Sequence, residues 1–308
     1  MNKMNSSSRS YSLYEKIIHK IDSPTSKMGN LRFLAERIMQ LAVTWTAWRR
    51  KLAFPARTLG SSWWIWRWRF EFVFGLLEYP SIQWCRHTVR RGMVVVDVGA
   101  HIGYYTQILS DLVGSSGKVF AFEPSPENFP VLSQNIVSLR HRNVEVYDFA
   151  VDDKDATGQL HVSPGHSNHS LVAGYTPEQG VVDVKTITLD TFLAERNVRE
   201  VNFIKIDVEG NEPHVVAGMK NTVKKSPDLT ILIEYNPPAL RCGGIEPTDL
   251  VRQLQELDLF IEVILPDGSL STDLFQEGDD TVNFLCKKKS QTRPSTAGQA
   301  DIPSGSNP

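Results

Sequence analysis

The sequence predicts an α/β protein: a mostly parallel sheet with helices on both faces, preceded by a basic, aromatic-rich extension. Three observations predict it. From Met93 onward short apolar runs alternate with helical ones, the pattern of a parallel sheet covered on both sides. The charge divides unevenly, with 16 Lys and Arg against 5 Asp and Glu in residues 1–91, and 17 against 30 in residues 92–308. All seven tryptophans lie between Trp45 and Trp84. A chain of 308 residues suits one large domain plus an extension, and 41% hydrophobic content excludes disorder throughout.

Residues 1–29 are polar and are expected to be disordered. The start MNKMNSSSRS is followed by no apolar h-region, so no secretory leader is expected. Residues 30–91 form the basic, Trp-rich extension. Leu31, Leu34, Ile38, Leu41, Trp45, Trp48 and Leu52 step by three and four, which predicts a helix with a narrow apolar seam, closed by Pro55. Arg32, Arg37, Arg49, Arg50 and Lys51 beside it argue against self-pairing as a coiled coil. Docking on the acidic body of the chain is the favoured reading, and contact of residues 30–75 with an anionic membrane face is the sharper one. Next, Trp64, Trp66, Trp68, Phe70, Phe72 and Phe74 alternate with Ile65, Arg67, Arg69, Glu71 and Val73. Strict alternation predicts a strand with one aromatic face, serving as core or as a platform for a sugar or lipid acceptor. Arg67, Arg69 and Glu71 exclude a membrane-spanning helix here.

Residues 92–289 are expected to form the main α/β domain. VVVDVG, KVFAFEP, VEVYDFA, VNFIKIDVEG and LTILIEYNP are the strands, with helices near Tyr104–Val113, Pro126–Leu139, Glu212–Lys225 and Thr248–Leu257. QLHVSPGHSNHSLV through VVDVKTITL reads as an inserted strand pair joined by a polar loop, and TVNFLCKKK as the last strand. Residues 290–308 are rich in Ser, Pro and Gly and are expected to be a disordered tail. Cys85, Cys242 and Cys286 are odd in number and lack C-x-x-C spacing, which fits a reduced, cytoplasmic chain.

The strongest local signal is VVVDVGAHIGYYTQIL, a buried strand, a turn bracketed by Gly99 and Gly103, and a helix whose N-terminus offers free amides. The spacing G-x-x-x-G matches neither the dinucleotide fingerprint nor a P-loop. Asp97, read as part of the turn, repels phosphate and suits an ammonium group. Glu123 ends the second strand, placed to accept both hydroxyls of a ribose. Asp148, Ala150 and Val151 at the third strand's end are placed to border a flat base. A nucleoside with free ribose, a charged amino-acid tail and no phosphate describes S-adenosylmethionine.

DVGAHIGYYT, FEPSPENF, SNHSLV, TLDTF, IKIDVEGNE and LIEYNP occur in that order, and the chain resembles the FkbM-type S-adenosylmethionine-dependent methyltransferases from about Glu78 to Lys287. The resemblance implies a class I methyltransferase (Rossmann-like) fold, a seven-stranded, mostly parallel sheet whose last strand runs antiparallel. It also implies O-methylation of a hydroxyl on a sugar, glycan or other natural product. Asp97, Gly99, Ala100, His101, Gly103, Glu123, Ser125, Asp148 and Ala150 are the implied cofactor-binding positions. His101 departs from the asparagine of many relatives. Residues 1–75 lie outside the resemblance.

Methyl transfer requires an acceptor oxygen held at attack distance, exclusion of water and removal of a proton. Asp207, Glu209, Glu212 and His214 end the fourth strand, and Glu234 ends the fifth, its neighbour in the expected order. Asp207, Glu209 and Glu234 are the candidate catalytic residues, convergent at the strand ends. Three carboxylates also suit Mg²⁺ or Ca²⁺, and the sequence does not separate a base from a metal site, although the base reading is favoured. Glu212 is expected to stabilise a helix N-terminus. His161, His166 and His169 lack a zinc-ligand pattern and suit acceptor contacts. The rival readings are an N-methyltransferase acting on nucleic acid or protein, because Asn236, Pro237 and Pro238 approach an N-P-P-[YF] motif, and a nicotinamide-dependent oxidoreductase. The acidic body argues against a nucleic-acid partner.

Overall fold

The computed structural model describes residues 6–22, 29–54, 63–164, 168–274 and 280–289. The chain divides into two compact units, one made of the N-terminal helices up to Tyr79, the other of residues 49–54 and the described chain from Pro80. Pro55, His166 and the tail from residue 290 lie outside the described residues.

The first unit holds three helices, α1 (Ser6–Asp22), α2 (Gly29–Arg50) and α3 (Trp63–Phe74). The polar start expected to be disordered is therefore helical over Ser6–Asp22. Tyr14, Ile18 and Ile21 lie on one side of α1, and Ile18 and Ile21 pack with Met39 and Trp63, flanked by Ala35 and Phe70. The segment 64–74, expected as a strand, is α3. Its buried residues Arg69, Phe72 and Val73 follow helical spacing. A spacing of four is shared by both periods, so alternating aromatics also meet along a helix, as the tilted pairs Trp68–Phe72 at 5.7 Å and Phe70–Phe74 at 4.5 Å between centroids do. Arg67 Nε donates to Glu71 Oε1 (2.8 Å) along α3, and Arg67 Nη1 to Asp22 Oδ2 (2.6 Å) on α1. Trp63 Nε1 donates to Asp22 Oδ1 (2.7 Å), completing the α1–α3 seam.

The second unit runs α4 (Tyr79–Thr88), β1 (Val94–Val98), α5 (Tyr104–Val113), β2 (Lys118–Phe122), α6 (Asn128–Ser138), β3 (Val144–Tyr147), β4 (Phe149–Val151), β5 (Ala156–Val162), β6 (Gly180–Ile187), α7 (Leu189–Glu195), β7 (Phe203–Ile206), α8 (Glu212–Ala217), α9 (Lys220–Lys225), β8 (Thr230–Tyr235), α10 (Pro237–Cys242), α11 (Pro247–Glu256), β9 (Leu259–Ile264), β10 (Leu270–Ser271) and β11 (Val282–Lys288). The main sheet has the order β10-β9-β11-β8-β7-β1-β2-β3. β3, β2, β1, β7 and β8 pair in parallel, and β11 lies antiparallel between β8 and β9. It has the seven strands that the resemblance implies, among them β9, which was not one of the segments read as strands, and one addition, the two-residue edge strand β10. Val96, Val98, Phe120, Phe122, Ile204, Ile206, Ile231 and Ile233 build the main core.

Two elements are divided more finely than the sequence implies. VEVYDFA splits at Asp148, with β3 in the main sheet and β4 in a small sheet of order β4-β6-β5, where the inserted strand pair sits. The helix expected over Glu212–Lys225 breaks at Gly218, where a Cβ would stand 2.0 Å from the Asp152 carbonyl oxygen. No helix among the described residues is long and apolar enough to cross a membrane.

Candidate active site

The sheet order reverses at β1, from which successive strands run outward to β2 and β3 on one side and to β7 and β8 on the other. Ligands of open α/β sheets bind beyond the strand ends at such a point. Within β1, Val96 and Val98 enter the main core, so Asp97 points to the opposite face, where register sets it beside Ala121 of β2 and Lys205 of β7. Asp97 thus belongs to the strand and not to the turn. It is fully buried, and its Oδ2 accepts from Thr106 Oγ1 at 2.6 Å. Burial pushes its carboxyl above the ordinary range, while Lys205 and Thr106 pull it back. Asp97 Oδ1 is buried and receives no hydrogen bond among the described residues.

Lys205, which the sequence reading passed over, is 4% exposed. Its Nζ donates to Asp207 Oδ2 at 2.9 Å and lies 5.0 Å from the centre of the Tyr105 ring. A lysine between the isoleucines of FIKI is the signal that marks it, because a buried ammonium requires partners.

Gly99 and Gly103 both have positive φ, +78° and +95°. The room they leave serves the protein. A Cβ on Gly99 would sit 1.8 Å from the Asp207 carbonyl oxygen, and one on Gly103 2.9 Å from Leu132 Cδ1. The turn is pinned by the Gly99 and Ala100 amides, which donate to the Phe122 carbonyl at 3.0 and 2.9 Å. Ala100 packs with Ala121, Leu132 and Ile136. Helix α5 starts without a side-chain cap and without an acidic residue in its first turn, which leaves its N-terminus suited to an anionic group.

Glu123 is 6% exposed at the end of β2. Its two oxygens accept the amides of His101 (2.8 Å) and Ser125 (3.0 Å). Burial pushes its carboxyl up to about 7 against those hydrogen bonds. His101 thus supplies a backbone donor. The Ser125 hydroxyl accepts the amides of Glu127 and Asn128, both at 3.3 Å, and so caps α6. Asp148 is exposed, and Ala150 packs with Leu160 and Val184 in the small sheet; both follow Tyr147, whose carbonyl accepts the Glu123 amide at 3.0 Å.

Asp207, Glu209 and Glu234 do converge: each presents a carboxylate oxygen, all within 4.8 Å of one another. The loop between β7 and α8 is strained, with Glu209 at φ +57° and Gly210 at +102°. Glu212 holds it, accepting the amides of Val208 (3.0 Å) and Gly210 (3.0 Å) from a fully buried position, with its carboxyl raised by burial to about 7. The expected helix-end role of Glu212 is therefore widened to shaping this loop. The insertion clamps the same loop, since Ser170 Oγ donates to the Glu209 carbonyl at 2.6 Å. Asn236 Nδ2 donates to the Tyr175 hydroxyl at 2.9 Å and faces Glu209 Oε2 at 3.5 Å. Tyr175 and Asn236 were not singled out for this role by the sequence reading. His214 Nδ1 pairs with Asp153 Oδ2 at 3.0 Å, and His161 Nδ1 with Glu178 Oε1 at 2.7 Å.

A parallel sheet with this strand order, an acidic residue ending β2 and a glycine turn after β1 define a class I methyltransferase. The methyltransferase FkbM domain matches residues 97–263, and the chain belongs to that family of S-adenosylmethionine-dependent methyltransferases. The hexuronic acid methyltransferase AglP of Haloferax volcanii is 27% identical over 64% of this chain and 74% of its own. The 31-O-demethyl-FK506 methyltransferase FkbM of Streptomyces tacrolimicus is 31% identical over 44% of this chain and 64% of its own. The 2-O-methyltransferase NoeI of Sinorhizobium fredii is 24% identical over 54% of this chain and 72% of its own. The residues fit the cofactor, because the orphaned Asp97 Oδ1 suits its ammonium and Glu123 retains lone pairs for ribose hydroxyls.

Proposed function

We propose that this methyltransferase acts on a hydroxyl of a sugar, glycan or other natural product, in the cytoplasm. The observation that carries this reading is the convergence of Asp207, Glu209 and Glu234 beyond the ends of β7 and β8. Three relatives whose names specify a hexuronic acid, 31-O-demethyl-FK506 or a 2-O position support the same acceptor chemistry.

The cofactor supplies a methyl group on a sulfonium, whose thioether leaves without acid assistance. Asp97 would hold its ammonium, the α5 N-terminus its carboxylate and Glu123 its ribose. What remains for the chain is to orient a hydroxyl and take its proton. Like charges 4.8 Å apart or less repel one another, so uptake of a proton by the cluster relieves that repulsion as the new O–C bond forms. Lys205 fixes the orientation of Asp207, and Asn236 with Tyr175 borders Glu209. No metal ion is assigned a role.

Asn236 bears on the N-methylating alternative. Its Oδ1 accepts the Ala239 amide at 3.2 Å and caps α10, and its Nδ2 donates to the Tyr175 hydroxyl, so the side chain serves the fold at both ends of its amide. The test is incubation with methyl-labelled S-adenosylmethionine and a panel of monosaccharides, uronic-acid-terminated glycans, peptides and RNA, read by mass spectrometry. Label on oxygen of a glycan or polyhydroxylated product is the expected result. Label on nitrogen of RNA or peptide alone would overturn the reading.

A further inference from the structure

Helix α2 is apolar on two opposite sides. Its inner side carries Met39 and Val43, 6% and 2% exposed, with Met39 in the core of the helical unit. Its outer side carries Leu34 (54% exposed), Ile38 (57%), Leu41 (73%), Trp45 (58%) and Trp48 (77%). Their steps of four and three keep them within an arc of about 80° along about 21 Å of helix. A soluble helix normally turns its second side polar, and a continuous row of large apolar side chains marks a surface with an occupant. Neighbouring helices repeat the pattern. On α1, Leu13 and Ile17, one turn apart, are 60% and 46% exposed, and on α3 Trp64 is 57% exposed.

Charge selects the occupant. Arg37 and Arg49 flank the row on its two sides and both are exposed, as are Lys16 and Lys20 on α1. The positions bordering the seam are Ala35, Ala42 and Arg49 on one side and Arg37 and Thr44 on the other, with no acid among them. A second copy would bring basic residues against basic residues, whereas an anionic bilayer complements them. Two exposed tryptophans in the row are the side chains best suited to the headgroup boundary. No helix among the described residues is long and apolar enough to cross a membrane, which leaves the in-plane position.

We infer that the outer face of α2, from Leu34 to Trp48, is a docking surface for an anionic phospholipid bilayer. The side chains enter the acyl boundary while Arg37 and Arg49 meet the headgroups. This holds whatever the methyl acceptor is, because none of these residues belongs to the carboxylate site.

The test is co-sedimentation of the full chain with vesicles of phosphatidylcholine containing phosphatidylglycerol, against vesicles of phosphatidylcholine alone. Pelleting with the anionic vesicles is expected, reduced roughly tenfold by 0.5 M salt or by the neutral vesicles. Leu41→Ser with Trp48→Ser, and separately Arg37→Gln with Arg49→Gln, are each expected to release the chain, with circular dichroism and melting temperature unchanged. Equal recovery in the supernatant with and without anionic vesicles would overturn the inference. So would a dimer, seen by light scattering, that Leu41→Ser with Trp48→Ser dissociates, since the row would then be covered by a second copy.

Discussion

Lys205 Nζ lies 2.9 Å from Asp207 Oδ2, and the β1–β7 register sets the same lysine beside Asp97. One buried ammonium thus serves two carboxylates, and its charge also favours ionisation of Glu123. Removing it strands negative charge in a site where Asp97 is fully buried. Lys205→Met is expected to destabilise the fold by about 3–5 kcal/mol, the usual consequence of breaking a buried ion pair from one side. Lys205→Arg keeps the charge but forces a planar fork into a slot shaped for a point charge, and is expected to fall between the two. Urea unfolding of the three proteins checks the order; a methionine variant as stable as the parent would remove Lys205 from this role.

With Glu123 holding the ribose as proposed, cofactor binding is expected to be pH-dependent. Burial holds its carboxyl near 7, so below that pH the free enzyme carries a proton there. Ribose hydroxyls donate, and therefore favour the ionised form. Binding must release the proton, so affinity for S-adenosylmethionine is expected to weaken as pH falls through 7, by up to about tenfold per unit. Isothermal titration at pH 6, 7 and 8 measures this, and a flat affinity would take Glu123 out of the ribose site.

The two glycines of the turn separate by what they touch. At Gly99 an added Cβ meets backbone, the Asp207 carbonyl at 1.8 Å, which moves only with β7. At Gly103 it meets the end of Leu132, which can rotate away. Both positions also carry the positive-φ penalty of about 1 kcal/mol. Gly99→Ala is expected to lose 4 kcal/mol or more, roughly, and Gly103→Ala about 1–3 kcal/mol. Thermal melts of the two variants give the comparison, and equal melting temperatures would refute it.

The same turn shows what was legible in the sequence. VVVDVG placed the strand, the glycines and the acid, and the IKIDVEG and LIEYNP strand ends brought Asp207, Glu209 and Glu234 to one place because parallel neighbours end at one edge. What the glycines make room for was not legible, since Asp207 lies over a hundred residues away in the chain. Lys205 was hidden inside an apolar run. Helix α3 was hidden because aromatics at every second position also satisfy a spacing of four, and only the buried set Arg69, Phe72 and Val73 discriminates. In α1 the pattern Tyr14, Ile18, Ile21 was present but diluted by the serines that open the chain.

Glu234 provides the sharpest test of the proposed chemistry. It lies on β8 opposite Asn283 and joins Asp207 and Glu209 within 4.8 Å. Glu234→Gln keeps the shape and removes one of three like charges. If the cluster accepts the acceptor's proton, turnover should fall by roughly 10²–10⁴ with the affinity for S-adenosylmethionine unchanged. Asp207→Asn should lose turnover as well and should also lower the melting temperature, since it gives up the ion pair to Lys205. A Glu234→Gln variant that turns over at the parent rate would assign the proton to another group, whatever its melting temperature.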